Sequence, residues 1–233
     1  MKGNLFMSVA LSLVSAAAVL SVQPQQALAK DAAVSQASES TSTAAVGKAA
    51  PAFTLEDADG KKHSLSQYKN KLVVLEWVNF GCPFVKKHYG SDNMQKLQEA
   101  YTKKGVIWLS ICSSNPDRQG YFKGADLKKE IESHHSKATA YLVDADGTVG
   151  HEYGAKSTPH MFVIDKEGTL VYAGAIDDQP TADPADIPKA KNYVKEALDE
   201  AIAGKKITNA STKSYGCSVK YGKKSASSDA VTH

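Results

Sequence analysis

The residue best suited to covalent chemistry is Cys82, one of three cysteines in the 233-residue chain. An apolar run, residues 72–78, ends shortly before it, and Pro83 follows it directly. Because proline favours the first position of a helix, Cys82 is predicted to cap a helix N-terminus. A thiol there faces unpaired N–H groups at the positive end of the helix dipole, which favours the thiolate. Further positive charge, which would lower the thiol pKa, comes from Lys86, Lys87 and His88.

This setting predicts an exposed and reactive Cys82. The alternative is an inert buried thiol, which is the usual state of a free cysteine. A Cys-Pro helix start directly after a strand favours exposure, because functional side chains are commonly carried at such strand ends. We therefore predict that Cys82 is an attacking thiolate.

Reversible recycling of an oxidised Cys82 requires a second thiol. Val85 stands three residues after Cys82, so the chain has no Cys-x-x-Cys pair there. Cys217 follows a Gly-containing segment after the last predicted helix and is the resolving candidate, with a structural role as the alternative. Cys112 ends an apolar strand and is predicted to be a packing residue. A parallel neighbouring strand could also bring it towards Cys82.

The apolar pattern predicts the elements that position these residues. Residues 72–78 and 106–111 read as buried parallel strands, and a helix between them carries Met94, Leu97 and Tyr101 after a Ser91 cap. The other predicted elements are a hairpin around Phe53 and His63, a helix at 126–134, a hairpin of 161–164 with 170–172, and a helix from Ile187 to Ile202 that ends at Gly204. The predicted fold is α/β, with a mixed sheet flanked by helices and an N-terminal hairpin.

Both ends of the chain are predicted to lie outside this domain. Residues 1–29 resemble a signal peptide, with an apolar run at 5–22 and Ala27-Leu28-Ala29 before the cleavage point. Residues 30–49 are predicted to be a disordered linker, residues 50–222 the domain and residues 223–233 a disordered tail. A periplasmic or secreted location follows. The alternative is an uncleaved signal that anchors the protein in a membrane.

Composition excludes several classes of protein. The chain is 42% hydrophobic and 23% charged, with a formal net charge of +3, as in an ordinary soluble globular domain. Arg118 is its single arginine, so a nucleic-acid partner is not expected. Three cysteines are too few for a disulfide scaffold or a four-thiolate zinc site. No cofactor is expected.

The run Leu75-Glu76-Trp77-Val78-Asn79-Phe80-Gly81-Cys82-Pro83 resembles the strand that delivers the nucleophilic cysteine in the thioredoxin superfamily, and Ser157-Thr158-Pro159 resembles its cis-proline loop. Residues 82–86, 172–178 and 216–220 look more narrowly like the peroxiredoxin-like branch of the alkyl hydroperoxide reductase/thiol-specific antioxidant (redoxin) family. The resemblance spans about residues 51–221. It implies that Thr158 offers backbone hydrogen bonds to an extended substrate and that Pro159 shapes the cleft.

The resemblance also assigns a place to Glu76, which matches the acid that thioredoxins bury beneath the active site. Burial would raise its pKa and suit it to proton transfer. A carboxylate at the sheet surface, paired with a lysine, is the alternative.

Two departures from true peroxiredoxins weaken the prediction of peroxide reduction. Leu75 and Asn79 stand where those enzymes place a proline and a Thr or Ser, and Arg118 lies in a loop rather than on a late strand. Lys86, Asn79 and the helix N-terminus could still stabilise a sulfenate. We therefore expect a secreted thiol oxidoreductase that acts by thiol-disulfide exchange or antioxidant reduction, reacts slowly with hydrogen peroxide, and is reduced by an external thioredoxin-like protein. Its substrate would be a protein or small-molecule thiol, disulfide or peroxide.

Two other functions remain open from the sequence. One is a binding module of the same fold that keeps the cleft without turnover. The other is copper handling, because His88 and His160 near Cys82 could join a thiolate as ligands. The copper-delivery relatives carry a second cysteine where Lys86 stands, so no metal site is predicted. Asp177 and Asp178 are predicted to form a solvated turn that could line the mouth of the site.

Overall fold

The structure, a computed structural model, describes residues 44–222. Its strands are β1 (Thr54–Asp57), β2 (Lys62–Ser64), β3 (Val73–Trp77), β4 (Ile107–Cys112), β5 (Ala140–Val143), β6 (Ser157–Thr158), β7 (His160–Ile164), β8 (Leu170–Gly174) and β9 (Cys217–Ser218). Its helices are α1 (Pro83–Tyr89), α2 (Asn93–Thr102), α3 (Gly124–Ser133), α4 (Thr148–Glu152) and α5 (Tyr193–Ile202). Two 3-10 helices span Leu65–Tyr68 and Pro184–Lys189.

A seven-stranded mixed sheet organises the domain, in the order β2-β1-β5-β4-β3-β7-β8. Strand β3 is parallel to β4 and antiparallel to β7, and all five of its residues are buried. Both faces of this strand are covered, which is why residues 72–78 are apolar except for Glu76 and lack the alternation of a half-exposed strand. The prediction of a mixed α/β sheet with an N-terminal hairpin is confirmed.

Two hydrophobic cores cover the two faces of the sheet. The side chains of Val74 and Val78 pack on one face with α1, α2, α3 and α5, whereas those of Val73, Leu75 and Trp77 pack on the other face with α4 and Phe53. Alternate residues of one strand therefore serve different cores. The sheet is consequently rigid at the end of β3, where the loop to Cys82 begins.

Three predicted boundaries are wrong. The last predicted helix begins at Tyr193, not Ile187, because Pro184 and Pro188 lie in a separate 3-10 helix and Asn192 caps α5 through its side chain. Asp92 rather than Ser91 precedes α2, since the Ser91 hydroxyl donates to Lys87 O at the end of α1. Residues 44–49, placed in the linker, join the domain through Ala44 N to Glu152 O and an Ala49–Thr169 bridge.

The sequence prediction also missed β5 and α4. Strand β5 extends the parallel part of the sheet, pairing with β4 from Leu109 opposite Ala140 to Cys112 opposite Val143. It has only four residues, too few for periodicity to distinguish a strand from a short buried helix. The signal peptide, the tail and most of the predicted linker lie outside the described residues. Within residues 44–222, no helix has the length and apolar character needed to cross a membrane.

After α5 the chain returns across the domain as a C-terminal strap, residues 210–222. Its first part lies along β8, where Thr212 N donates to Ala173 O and the Thr212 hydroxyl accepts from Ala175 N. Its middle part, β9, pairs antiparallel with β6, with Thr158 opposite Cys217. Its last part is held by the hydroxyl of Tyr221, which donates to Ala155 O at 2.8 Å. The strap thereby crosses the loop that carries Thr158 and Pro159.

Gly216 allows this crossing. Its φ is +129°, and a Cβ atom built on it would lie 2.1 Å from Thr158 O. Only glycine has both the backbone freedom and the space for this approach. This close approach of the strap to β6 falls one residue before Cys217.

We expect Gly216→Ala to lift the strap from β6 without unfolding the sheet. Trypsin should then cleave after Lys213 and Lys220 faster than in the wild-type protein, since both lysines belong to the strap. Gly60→Ala is the control, because Gly60 also has a positive φ, +75°, but nothing lies within 4 Å of its added Cβ. Equal cleavage rates in the two variants would contradict the assigned role of Gly216.

Candidate active site

Cys82 lies where the loop after β3 enters α1. Its N–H donates to Asn79 O at 2.9 Å, and its own carbonyl accepts from Lys86 N at 2.9 Å in the first helical turn. Its extended backbone and the proline that follows are those of an N-cap residue. The predicted helix start is confirmed, and the Cys82 sulfur stands at the positive end of α1.

The prediction that Cys82 is exposed is wrong, because 0% of its surface is accessible. Thr158 and the strap cover its sulfur. Its thiol donates to Thr158 O at 3.2 Å, and the strap lies across Thr158. The exposure predicted for a strand end is thus removed by a segment more than a hundred residues later in the chain.

The resolving candidate, Cys217, lies beside Cys82. Both residues are neighbours of Thr158, one through the Cys82 thiol and the other through the β6–β9 register. Each cysteine shifts the pKa of the other, and both are free thiols. Cys217 is half-buried and keeps solvent contact. The structure therefore brings together a buried thiol and a partly exposed one.

The two thiols differ in acidity. Burial acts to raise the pKa of Cys82, but the neighbouring Cys217 and Thr158 side chains and the Val85 N–H outweigh it, so the pKa lies below its ordinary value. Burial and the neighbouring Cys82 raise the pKa of Cys217 to about 11. Of the pair, Cys82 is therefore the more acidic thiol.

The basic residues after Cys82 have different surroundings from those predicted. Lys86 is exposed. The Lys87 ammonium is buried and donates to Gln179 O at 2.8 Å, and His88 is buried with Nε2 3.4 Å from the Tyr215 hydroxyl oxygen. Burial and the neighbouring Lys87 lower the pKa of His88 to about 3, so His88 is neutral. The lowered pKa of Cys82 arises chiefly from hydrogen bonds rather than from these side chains.

Asn79 and Pro159 shape the loops around the sulfur. The Asn79 side chain accepts from Gly81 N at 2.8 Å and donates to Gln119 O at 3.0 Å, so it fixes the turn before Cys82. The Thr158–Pro159 peptide bond is cis, as the resemblance implies. The backbone edge at Thr158, predicted to receive an extended substrate, is paired with the protein's own strap.

Glu76 is fully buried in β3, which agrees with the buried-acid prediction and excludes the surface alternative. Its carboxylate accepts hydrogen bonds from four side chains, those of Tyr89, Gln98, Trp108 and Ser110. Burial raises its pKa, although each of these donors acts in the opposite direction. Glu76 thus joins β3, β4, α1 and α2 through one acid group. Tyr89, Gln98 and Trp108 carry no sequence signal for this role.

Cys112 and the histidines do not join the site. Cys112 is buried, donates to Gly120 O at 3.3 Å and has a pKa raised by burial. The His160 ring packs against that of Phe162 in a tilted arrangement, with ring centroids 4.4 Å apart. Among residues 44–222, no three His, Cys, Asp or Glu side chains are grouped closely enough to hold a metal ion.

The sequence prediction misjudged Asp177 and missed Tyr215. Asp177 is buried rather than solvated, and it accepts hydrogen bonds from the Tyr215 hydroxyl and Gln179 N. Tyr215 belongs to the strap, two residues before Cys217. The only signal in the sequence is the proximity of Tyr215 to a cysteine. Asp178, the other residue of the predicted solvated turn, is exposed.

Comparison with known proteins identifies the family. The AhpC/TSA family pattern matches residues 46–173, more than half of the chain. The chain belongs to the AhpC/TSA family. Among its relatives, the thiol-disulfide oxidoreductase ResA of Bacillus thuringiensis subsp. konkukian (strain 97-27) is 29% identical over 128 residues, which cover 54% of this chain and 67% of that protein.

Solved structures agree with this assignment. An uncharacterized conserved protein from Geobacillus kaustophilus is 27% identical with a TM-score of 0.68, over 78% of this chain and 94% of that one. A candidate thioredoxin from Neisseria meningitidis has a TM-score of 0.50 at 20% identity, over 69% and 93% of the two chains. The fold of this AhpC/TSA protein is thioredoxin-like, as predicted.

The raised pKa of Glu76 has a consequence for stability. A folded state that holds the proton more tightly than the unfolded chain is favoured at low pH, and this advantage is lost as pH rises through the raised pKa. We expect the free energy of unfolding of the wild-type protein to fall, relative to Glu76→Gln, as pH increases from 4.5, the ordinary value of the group. Urea unfolding at several pH values measures this difference.

The control is Glu99→Gln, because hydrogen bonding and charge attraction from Lys103 lower the pKa of the exposed Glu99. Any pH-dependent difference for that variant should have the opposite sign. Parallel stability curves for the wild-type protein and Glu76→Gln would show that the burial of Glu76 leaves its protonation unchanged by folding.

Proposed function

We propose that this protein is a thiol-disulfide oxidoreductase that forms a reversible disulfide between Cys82 and Cys217. The observation that carries the proposal is the adjacent pair of thiols, because Cys82 contacts Thr158 O and the β6–β9 pairing sets Thr158 opposite Cys217. A second thiol in place allows a cysteine without a Cys-x-x-Cys partner to complete a two-electron cycle. The name of the ResA relatives, thiol-disulfide oxidoreductase, supports the same activity.

The cycle balances with a disulfide as the oxidant. The Cys82 thiolate attacks one sulfur of a partner disulfide and releases the first partner thiolate, which leaves a mixed disulfide at Cys82. The Cys217 thiol gives up its proton and attacks the Cys82 sulfur, releasing the second partner thiolate. The partner gains two electrons and the protein gains the Cys82–Cys217 disulfide.

The return of electrons requires an external thiol, and the geometry favours its attack at Cys217. Cys82 has no exposed surface, whereas Cys217 keeps solvent contact. The external thiolate would join the Cys217 sulfur and release Cys82 as a thiolate, which the lowered pKa of Cys82 favours. A leaving thiolate of low pKa speeds such an exchange. A second external thiolate would then free Cys217 and leave as a disulfide.

We expect oxidised glutathione to convert the reduced protein to a species with one Cys82–Cys217 disulfide, detected by peptide mass spectrometry. Cys82→Ser and Cys217→Ser should each abolish this species. Cys112→Ala should leave it unchanged, because the Cys112 thiol is hydrogen-bonded to Gly120 O instead. A disulfide between Cys82 and Cys112, or glutathione retained on Cys82 with Cys217 unmodified, would contradict the pairing.

The site of reduction has its own test. Oxidised protein is mixed with excess reduced glutathione, and the reaction is stopped at short times with N-ethylmaleimide. Glutathione should appear on the Cys217 peptide, and the alkylating label on Cys82. Adducts found first on Cys82 would show that the strap opens before the disulfide is attacked.

Features of the sequence support two further parts of the proposal, a disulfide as the oxidant and a location outside the cytoplasm. The absence of the peroxidatic Thr or Ser and of a late-strand arginine favours a disulfide over hydrogen peroxide as the oxidant. The signal-like residues 1–29 favour a location outside the cytoplasm, where disulfides persist. A thioredoxin-like protein is the expected external reductant. A binding module without turnover would instead form no Cys82–Cys217 disulfide under oxidised glutathione.

A further inference from the structure

The backbone pairing that involves Cys217 is short. Strand β9 contains two residues, and so does its partner β6. Isolated two-stranded pairing is marginal even when it is longer, so these contacts alone do not hold a segment firmly. Contacts elsewhere in the strap must keep Cys217 against Cys82.

On the N-terminal side of Cys217, such contacts belong to Tyr215. Its hydroxyl donates to Asp177 Oδ1, and its oxygen lies 3.4 Å from His88 Nε2. The Asn93 side-chain amide lies 2.8 Å from His88 Nδ1. If that amide donates, Nδ1 is the acceptor and the histidine proton sits on Nε2, directed at the Tyr215 oxygen. The hydroxyl then has both a donor and an acceptor.

The ring of Tyr215 is held as well. The Lys87 ammonium lies 5.7 Å from its centroid, and the Phe84 ring lies 5.9 Å away. The Lys87 ammonium is also 3.9 Å from Asp177 Oδ2. It therefore balances the charge of the carboxylate that accepts the hydrogen bond from the Tyr215 hydroxyl. We call Phe84, Lys87, His88 and Asp177 the tyrosine cradle.

Three of the four cradle residues lie in α1, the helix that Cys82 begins. A helix is rigid over two turns, so a strap fastened to its side is also fixed relative to the sulfur at its start. We propose that Tyr215 is the positioning residue that keeps Cys217 against Cys82, by fastening the strap to α1 and Asp177.

This inference rests on the proposed pairing of Cys82 and Cys217. It adds that the strap exists in an equilibrium between a closed and an open form. With the strap closed, Cys82 is covered and the two thiols meet. With the strap open, Cys82 is accessible to a partner. Release of the phenol hydroxyl should shift this equilibrium towards the open form without removing either thiol.

The test compares Tyr215→Phe with the wild-type protein in the reduced state. The variant keeps the ring but loses the hydroxyl bound to a buried carboxylate, a bond whose loss corresponds to about a tenfold change or more in an opening equilibrium. Iodoacetamide should therefore modify Cys82 at least about tenfold faster in the variant. Mass spectrometry of the Cys82 peptide follows the reaction.

The control is Tyr101→Phe, which also removes a tyrosine hydroxyl that donates to an aspartate, Asp199, but lies between α2 and α5. It should lower the melting temperature without changing the Cys82 modification rate. Combining Tyr215→Phe with Asp177→Asn should accelerate Cys82 modification by less than the product of the two separate effects, because both changes break the same hydrogen bond.

A Cys82 modification rate in Tyr215→Phe within about twofold of the wild-type rate would overturn the proposal, as would equal acceleration by Tyr101→Phe. The measurement uses reduced protein and needs no turnover. A failure of the Cys82–Cys217 disulfide under oxidised glutathione would contradict the proposed function while leaving the result on Tyr215 intact.

Discussion

The arrangement of the site depends on one short antiparallel pairing, in which Thr158 lies opposite Cys217. The carbonyl of Thr158 accepts from the Cys82 thiol, so a single residue contacts the nucleophile through its carbonyl and the second cysteine through strand pairing. Gly216 permits this approach, since any side chain there would collide with Thr158 O. Without the pairing, Cys82 would be an exposed lone cysteine with no thiol near it.

The same pairing resolves an apparent conflict in the electrostatics. Burial disfavours a thiolate, yet the pKa of Cys82 lies below its ordinary value. The groups that exclude water also lower the pKa of Cys82, namely the Cys217 and Thr158 side chains and the Val85 N–H. Cys217 becomes less acidic in the same contact, and its pKa rises to about 11. The ionisation of one thiol therefore depends on that of the other.

Local patterns in the sequence were sufficient for the helix start at Cys82 and for most of the sheet. Cys82 before Pro83 identifies a helix start, and the apolar runs at β3, β4 and β7 identify buried strands. The strap could not be predicted from those signals, because its contacts join residues 157–158 to residues 217–218 and no periodicity records such a pairing. The burial of Cys82 was missed for the same reason. Asp177 was misjudged because a carboxylate in a loop is usually solvated, and only its contact with Tyr215 shows otherwise.

Two buried acid groups of the domain serve different parts of this arrangement. Glu76 joins β3 to β4, α1 and α2 beneath the sheet, so it helps to fix the orientation of the helix that begins at Cys82. Asp177 binds the strap from the opposite direction through Tyr215. One carboxylate thus orients the helix that begins at Cys82 and the other orients the strap. Cys217 belongs to the closed strap and is one of the groups that lower the pKa of Cys82. Ionisation of Cys82 and closure of the strap therefore favour each other.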